Sequence, residues 1–166
     1  SFYHFLKEFW DVVVNEDPVW NWHIRYICDE LQHMAERVFI NLPKEHDEII
    51  NVPPGSTKST ICSIAFPAWT WTRMPTARCI TASYEHELAL NFSRKSRDIV
   101  EHEKYQRLFK FKQDPKTRRW LPSFAPDAVS VVLKDDQNAK RHYVNIMGGE
   151  RKSVGAGGNI TGSHGH

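Results

Sequence analysis

Lys58 and Ser59, which follow a Pro53-Pro54-Gly55 break, are the residues whose types and spacing most directly suggest chemistry. A β-branched run (Ile49, Ile50, Val52) precedes the break, and apolar residues at Ile61, Ile64, Ala65 and Ala68 follow it at helical spacing. The expectation is a strand, a tight loop and a helix. Such a junction suits a phosphate, because the first helical turn has unpaired N–H groups and the positive end of the dipole, and a lysine adds a full charge. The neighbouring serine can ligate magnesium held on the same phosphates. The strict pattern G-x-x-x-x-G-K-[ST] is met only at its last two positions, since Val52 and Thr57 stand where the glycines belong. A β-branched Thr57 does not reach a left-handed conformation cheaply, so the loop is expected to differ in detail from the usual one. A Pro-Gly turn with a solvated lysine is the alternative reading.

The elements that would position this loop follow from pattern. Phe2, Phe5, Leu6, Phe9 and Val13 fall on one helical stripe that ends at Asn15-Glu16-Asp17-Pro18, and a second helix carries Ile27, Leu31, Met34, Ala35 and Val38. Trp20, Trp22 and His23 stand before it, where an aromatic could stack on an adenine or simply pack in the core. Pro67 should kink or end the loop helix. Residues 77–82 read as a second strand. Ser83 looks like the N-cap of a helix with Glu85 and Glu87 in its first turn and Leu88, Phe92 and Ile99 on its apolar stripe. Two strand–helix units in succession argue for an α/β domain with a parallel sheet.

Further along, residues 104–126 look irregular, basic and aromatic, suited either to stacking bases or to a pinned surface loop. Residues 128–133 and 142–147 read as a hairpin turning at 135–138, and Asp135 and Asp136 fit that turn better than a magnesium-binding pair. The glycine-rich residues 148–165 could be a linker or a close approach beside a ligand.

Composition sets the limits. The 166 residues carry a net charge of +2, with an apolar fraction typical of a globular protein and no signal peptide or run long enough for a membrane span. Cys28, Cys62 and Cys79 read as reduced thiols of a cytosolic protein, with no zinc spacing. The charge is uneven: residues 1–50 hold four basic and ten acidic side chains, and residues 94–119 hold ten basic and four acidic. Either one part faces a polyanion or the two segments attract each other.

Taken together and in order, Trp22-His23, residues 50–59, Pro67-Ala68-Trp69, Ala82-Ser83-Tyr84, residues 88–97, residues 105–109 and Gly155-Ala156-Gly157-Gly158-Asn159-Ile160-Thr161-Gly162 resemble the large terminase subunits of tailed bacteriophages. That resemblance implies a P-loop NTPase core of RecA/ASCE type, with a parallel sheet flanked by helices. Residues 1–46 would form an N-terminal helical segment and 47–166 the core, stopping short of the acidic magnesium-binding strand and of a nuclease domain. It implies ATP and Mg2+ as cofactors. Lys58 would contact the β- and γ-phosphates, Ser59 the magnesium, and the backbone of Gly55, Ser56, Thr57, Lys58, Ser59 and Thr60 would cradle the phosphates. Trp22, His23, Ser83 and Tyr84 would lie near the nucleotide, and Arg94 and Arg97 are candidates for an arginine finger, with helix surface charge as the plain alternative. The implied partners are duplex DNA, the portal protein of the capsid, a small terminase subunit and further copies of this chain in a ring, acting in the host cytoplasm on the procapsid and absent from the mature virion. A helicase-like DNA-stimulated ATPase and a non-hydrolysing nucleic-acid-binding module are the alternatives.

Overall fold

The computed structural model describes residues 1–134, 141–155 and 165–166. The N-terminal stripe folds as two helices, α1 (Phe2–Glu8) and α2 (Trp10–Val13), with a break at Phe9 (φ −112°, ψ 12°). All five stripe residues are buried, so the break redirects the helix without losing the apolar face. Helix α3 (Trp22–Phe39) starts behind Asn21, whose side chain accepts from the Trp22 N–H, and buries Ile27, Leu31 and Ala35 as its spacing requires.

The loop helix departs from expectation. Helical backbone begins at Lys58 and passes as a π-helical stretch (Thr60–Ala65) into α4 (Phe66–Thr70), so Pro67 does not stop it. Proline has no N–H for the carbonyl four residues back and crowds it sterically; widening the turn relieves the clash. Arg151 Nη2 donates at 2.7 Å to the carbonyl of Ser63, four residues before Pro67. Residues 48–53 form neither helix nor strand and pair with no strand among the described residues, and Ile49 is 81% exposed. A β-branched run is not a strand until a neighbour takes its backbone groups.

The architecture is mixed α/β with two small sheets. Strand β1 (Arg78–Ser83) leads to α5 (His86–Glu101) and α6 (Glu103–Leu108). Strands β2 (Lys110–Gln113), β3 (Trp120–Pro122) and β4 (Val129–Ser130) form one antiparallel sheet in the order β3-β2-β4. Strands β5 (His142–Val144) and β6 (Glu150–Gly155) complete the other, ordered β1-β6-β5, with β1 and β6 parallel and β5 antiparallel to β6. Among the described residues, the parallel arrangement expected from pattern is therefore present in one pair, β1 with β6. The outer edge of β1 is met by His166, whose N–H donates to the Arg78 carbonyl at 3.0 Å.

Several expectations need correction. Ser83 is the last residue of β1, not a cap; α5 starts after Glu85, which makes no side-chain cap bond. The buried face of α5 is Ala89, Ser93, Ser96, Ile99 and Val100, with Leu88 40% exposed, because small residues let the helix sit close on β6. The approach is tight at Gly155, where a Cβ would lie 2.8 Å from His86 Cα. Residues 104–126 hold a helix and two strands, not an irregular stretch. The residues 128–133 split their pairing: Val129 and Ser130 join β2, while Leu133 bridges Asn145, so only the far half forms the expected hairpin. Its turn, with Asp135 and Asp136, lies outside the described residues. The glycine-rich tail starts with a full strand, β6; residues 156–164 are outside the described residues.

The core is one cluster in which α1 and α2 meet α6 through Phe5, Phe9, Tyr105 and Phe109. Tyr105 donates to the Ala68 carbonyl at 2.9 Å, which ties α6 to α4. The acidic N-terminus and the basic middle do meet, at Glu8 and Lys104. No described helix is long and apolar enough to cross a membrane.

Candidate functional site

Residues 53–58 form the loop in two steps. The Ser56 N–H donates to the Pro53 carbonyl at 3.3 Å, closing a turn with Pro54 second and Gly55 third at φ 79°. Proline fixes the first torsion and glycine takes the positive φ without steric cost. Two residues later Thr57 has φ 67°, the left-handed conformation its branched side chain should resist. This corrects the sequence expectation: Thr57 adopts the geometry that the missing glycine would have supplied. A β-branched residue held there costs about 1–3 kcal/mol, which the surrounding structure must offset.

The benefit of the strained residue is directional. A left-handed residue followed by a helical one, as at Thr57 and Lys58, turns the two N–H groups toward one side, a geometry able to receive an anion. Lys58 and Ser59 then begin the helix, with the Ile61 N–H donating to the Thr57 carbonyl at 3.0 Å as its first bond, so the N–H groups of Lys58, Ser59 and Thr60 precede the first bonded turn. The loop lines a cavity of about 430 Å³ with Val52 at one end, and Trp10, Val14 and Glu16 form its opposite wall. Lys58 is exposed and its Nζ makes only a long 3.4 Å contact with the Ile50 carbonyl. The nearby Cys62 thiol is pushed up to about 11 by burial, against the pull of Lys58, and so stays neutral at physiological pH. A neutral Cys62 does not compete with a ligand for Lys58.

His23 is brought to this loop. Its Nε2 lies 3.3 Å from the Ser56 carbonyl, and in the tautomer protonated there it donates, joining the first turn of α3 to the loop. Trp22 is 77% exposed beside it and lines a neighbouring cleft with Ile49 and Ile50, not the cavity above Lys58. Ser83 pairs with Gly155 in the sheet and Tyr84 is 93% exposed; neither lines the cavity. Arg97 is held by Glu101 at 3.0 Å along its own helix, which is the surface-charge alternative, and Arg94 is exposed on the same helix. Neither arginine lines the loop cavity.

Two contributions were not legible in the sequence. The first is the wall formed by Trp10 and Glu16; the Trp10 indole N–H donates to the Glu16 carbonyl at 2.9 Å, folding the Asn-Glu-Asp-Pro break over the loop. The second is Arg151, only 1% exposed, whose Nη1 donates to Thr81 Oγ1 at 2.6 Å and whose Nη2 reaches Ser63. It fastens β6 and β1 to the helix that carries Lys58. The signal for it was Pro67, which predicts an orphaned carbonyl but not its donor.

Glu30, His46 and Glu48 place ligand-type atoms within 4.8 Å of one another, but His46 and Glu48 already pair with each other at 3.3 Å. Ser59 follows Lys58 on the lining of the loop cavity and is the hydroxyl suited to magnesium on a bound phosphate. Compared with family models, with curated proteins and with solved structures, the chain finds no match.

Proposed function

We propose that the loop of Gly55, Ser56, Thr57, Lys58, Ser59 and Thr60 binds the phosphates of ATP with Mg2+, and that the chain is the ATPase part of a viral DNA-packaging motor built on a P-loop NTPase core. The observation that carries this reading is Thr57 at φ 67° directly before Lys58, on the wall of the 430 Å³ cavity. A strained residue has to be held by its surroundings, and such strain concentrates where a ligand is gripped. In this reading Lys58 neutralises the β- and γ-phosphates, the loop N–H groups bind their oxygens and Ser59 ligates the magnesium. His23 orients the loop through Ser56. Duplex DNA, a portal protein, a small terminase subunit and copies of the same chain are the partners of the assembled motor, working in the host cytoplasm, with a nuclease in the complete protein.

The test is Lys58→Ala in the complete protein. ATP hydrolysis and packaging should both be abolished while the thermal melt is unchanged. Wild-type turnover in that variant would overturn the assignment. The 166-residue chain should itself bind magnesium–ATP, and no binding would overturn the assignment.

A further inference from the structure

A second cavity, of about 250 Å³, opens between the end of α4 and the β2–β3 turn, and Arg73, Arg118 and Arg119 all line it beside Trp120 and Phe39. No carboxylate is among its lining residues, and none of the three arginines forms an ion pair among the described residues. Three like charges around one small space repel one another, and an arrangement of that kind is favourable when an anion occupies it. The arginines are also pre-positioned. Asp114 accepts from the Lys116 N–H at 2.9 Å and from Thr117 Oγ1 at 2.8 Å, and its carbonyl accepts from the Arg118 N–H at 2.8 Å. The Asp114 N–H in turn donates to the Arg119 carbonyl at 2.9 Å, and Gln113 Nε2 donates to the Arg118 carbonyl at 3.0 Å. Arg118 is thereby held at φ 59°, a conformation a free arginine rarely takes. Ordering a turn in advance removes an entropic cost that binding would otherwise meet.

We propose that this cavity is a docking site for a backbone phosphate of duplex nucleic acid, gripped by the Arg73, Arg118 and Arg119 guanidinium forks. The inference takes the identity of the polyanion from the packaging-motor reading, but the site is separate from the nucleotide loop. Guanidinium forks match phosphate oxygens in pairs.

The experiment is a fluorescence-anisotropy titration of a labelled DNA duplex over a salt series, with the 166-residue chain and its Arg118→Ala/Arg119→Ala variant. Affinity should fall about ten-fold and the slope against log salt should flatten by about 1–2, the signature of lost phosphate contacts. Arg118→Lys/Arg119→Lys keeps the charge and loses the forks, so it should give an intermediate loss, and it serves if the alanine variant folds badly. Lys7→Ala/Arg25→Ala removes the same net charge from cations that lie over Tyr3 and should change affinity less than about two-fold. An unchanged slope, an equal loss in that control pair, or a defect confined to inorganic phosphate would each overturn the proposal. Magnesium–ATP binding measured on the same proteins keeps the two readings apart: its absence in the wild type would sink the nucleotide loop and leave the DNA result standing.

Discussion

The loop before Lys58 and the β2–β3 turn each hold a non-glycine residue in the left-handed region next to a cation, Thr57 before Lys58 and Arg118 before Arg119. They are held there by different means. Arg118 is secured locally, by hydrogen bonds to and from residues four or five positions away. Thr57 has less local support: a turn precedes it, a helix follows it, and that helix is fastened from a distance by Arg151 on β6. A locally tied turn keeps its shape if the rest of the domain loosens. A loop braced through the sheet depends on the whole fold, and its geometry can be lost by changes far from the ligand.

The largest expected effect breaks the comparison from the distant side. Arg151→Leu removes the donor to both the Ser63 carbonyl and Thr81 Oγ1 and should cost about 2–3 kcal/mol of stability. For a chain of this size that lowers the midpoint by several degrees, roughly 2–4 °C per kcal/mol. Nucleotide binding should weaken with it, whereas DNA affinity should hold wherever the variant is folded. Equal losses in both activities would mean that the β2–β3 turn is braced through the sheet too.

Asp114→Ala attacks the other region. The β2–β3 turn loses its side-chain acceptor, and DNA affinity should fall about three- to five-fold by the titration above, with magnesium–ATP binding unchanged. Acid offers the same test without mutation. The Lys116 N–H, followed by the Thr117 hydroxyl, holds the Asp114 carboxyl below the usual carboxylate range. A depressed folded-state pKa contributes stability above the ordinary carboxylate pKa that is lost only as pH falls through the lowered value. The Asp114-dependent part of DNA affinity should therefore be flat from neutral pH to about pH 5 and fade only in stronger acid.

The smallest effect sharpens the account of strain. In an ordinary loop, replacing threonine by glycine costs about 0.5–1 kcal/mol through the freedom given to the unfolded chain. At Thr57 the relief of the left-handed conformation offsets that cost, so Thr57→Gly should leave stability within about 0.5 kcal/mol of the parent or raise it. A full loss in a denaturant titration would mean that Thr57 is not strained.

How much of this was legible follows the same division between local and distant causes. Helix α3, β1 and the buried face of the N-terminal stripe were legible because periodicity is a local signal, although the stripe folds as two helices and not one. The loop was recognised from Pro53-Pro54-Gly55 and Lys58-Ser59, yet the conformation of Thr57 was read the wrong way, because propensity prices the residue alone and not the framework that holds it. The run 49–52 has strand composition and no paired neighbour among the described residues. Strand β6 was hidden inside a stretch read for its glycines, and the partner of its buried Arg151, the Ser63 carbonyl, lies 88 residues away in sequence. Residues 104–126 were read as basic and aromatic, which is correct; that three arginines converge there could not be seen, since Arg73 comes from another element.

The central claim is that the strained loop before Lys58 is a phosphate site, and isothermal titration of magnesium–ATP into the 166-residue chain and its Lys58→Ala variant tests it most directly. The expected result is saturable binding by the parent, weakened at least about ten-fold in the variant with no change in melting temperature, as removal of a charge-assisted contact to phosphate requires. Equal affinity in the two proteins, or no binding by either, would contradict it.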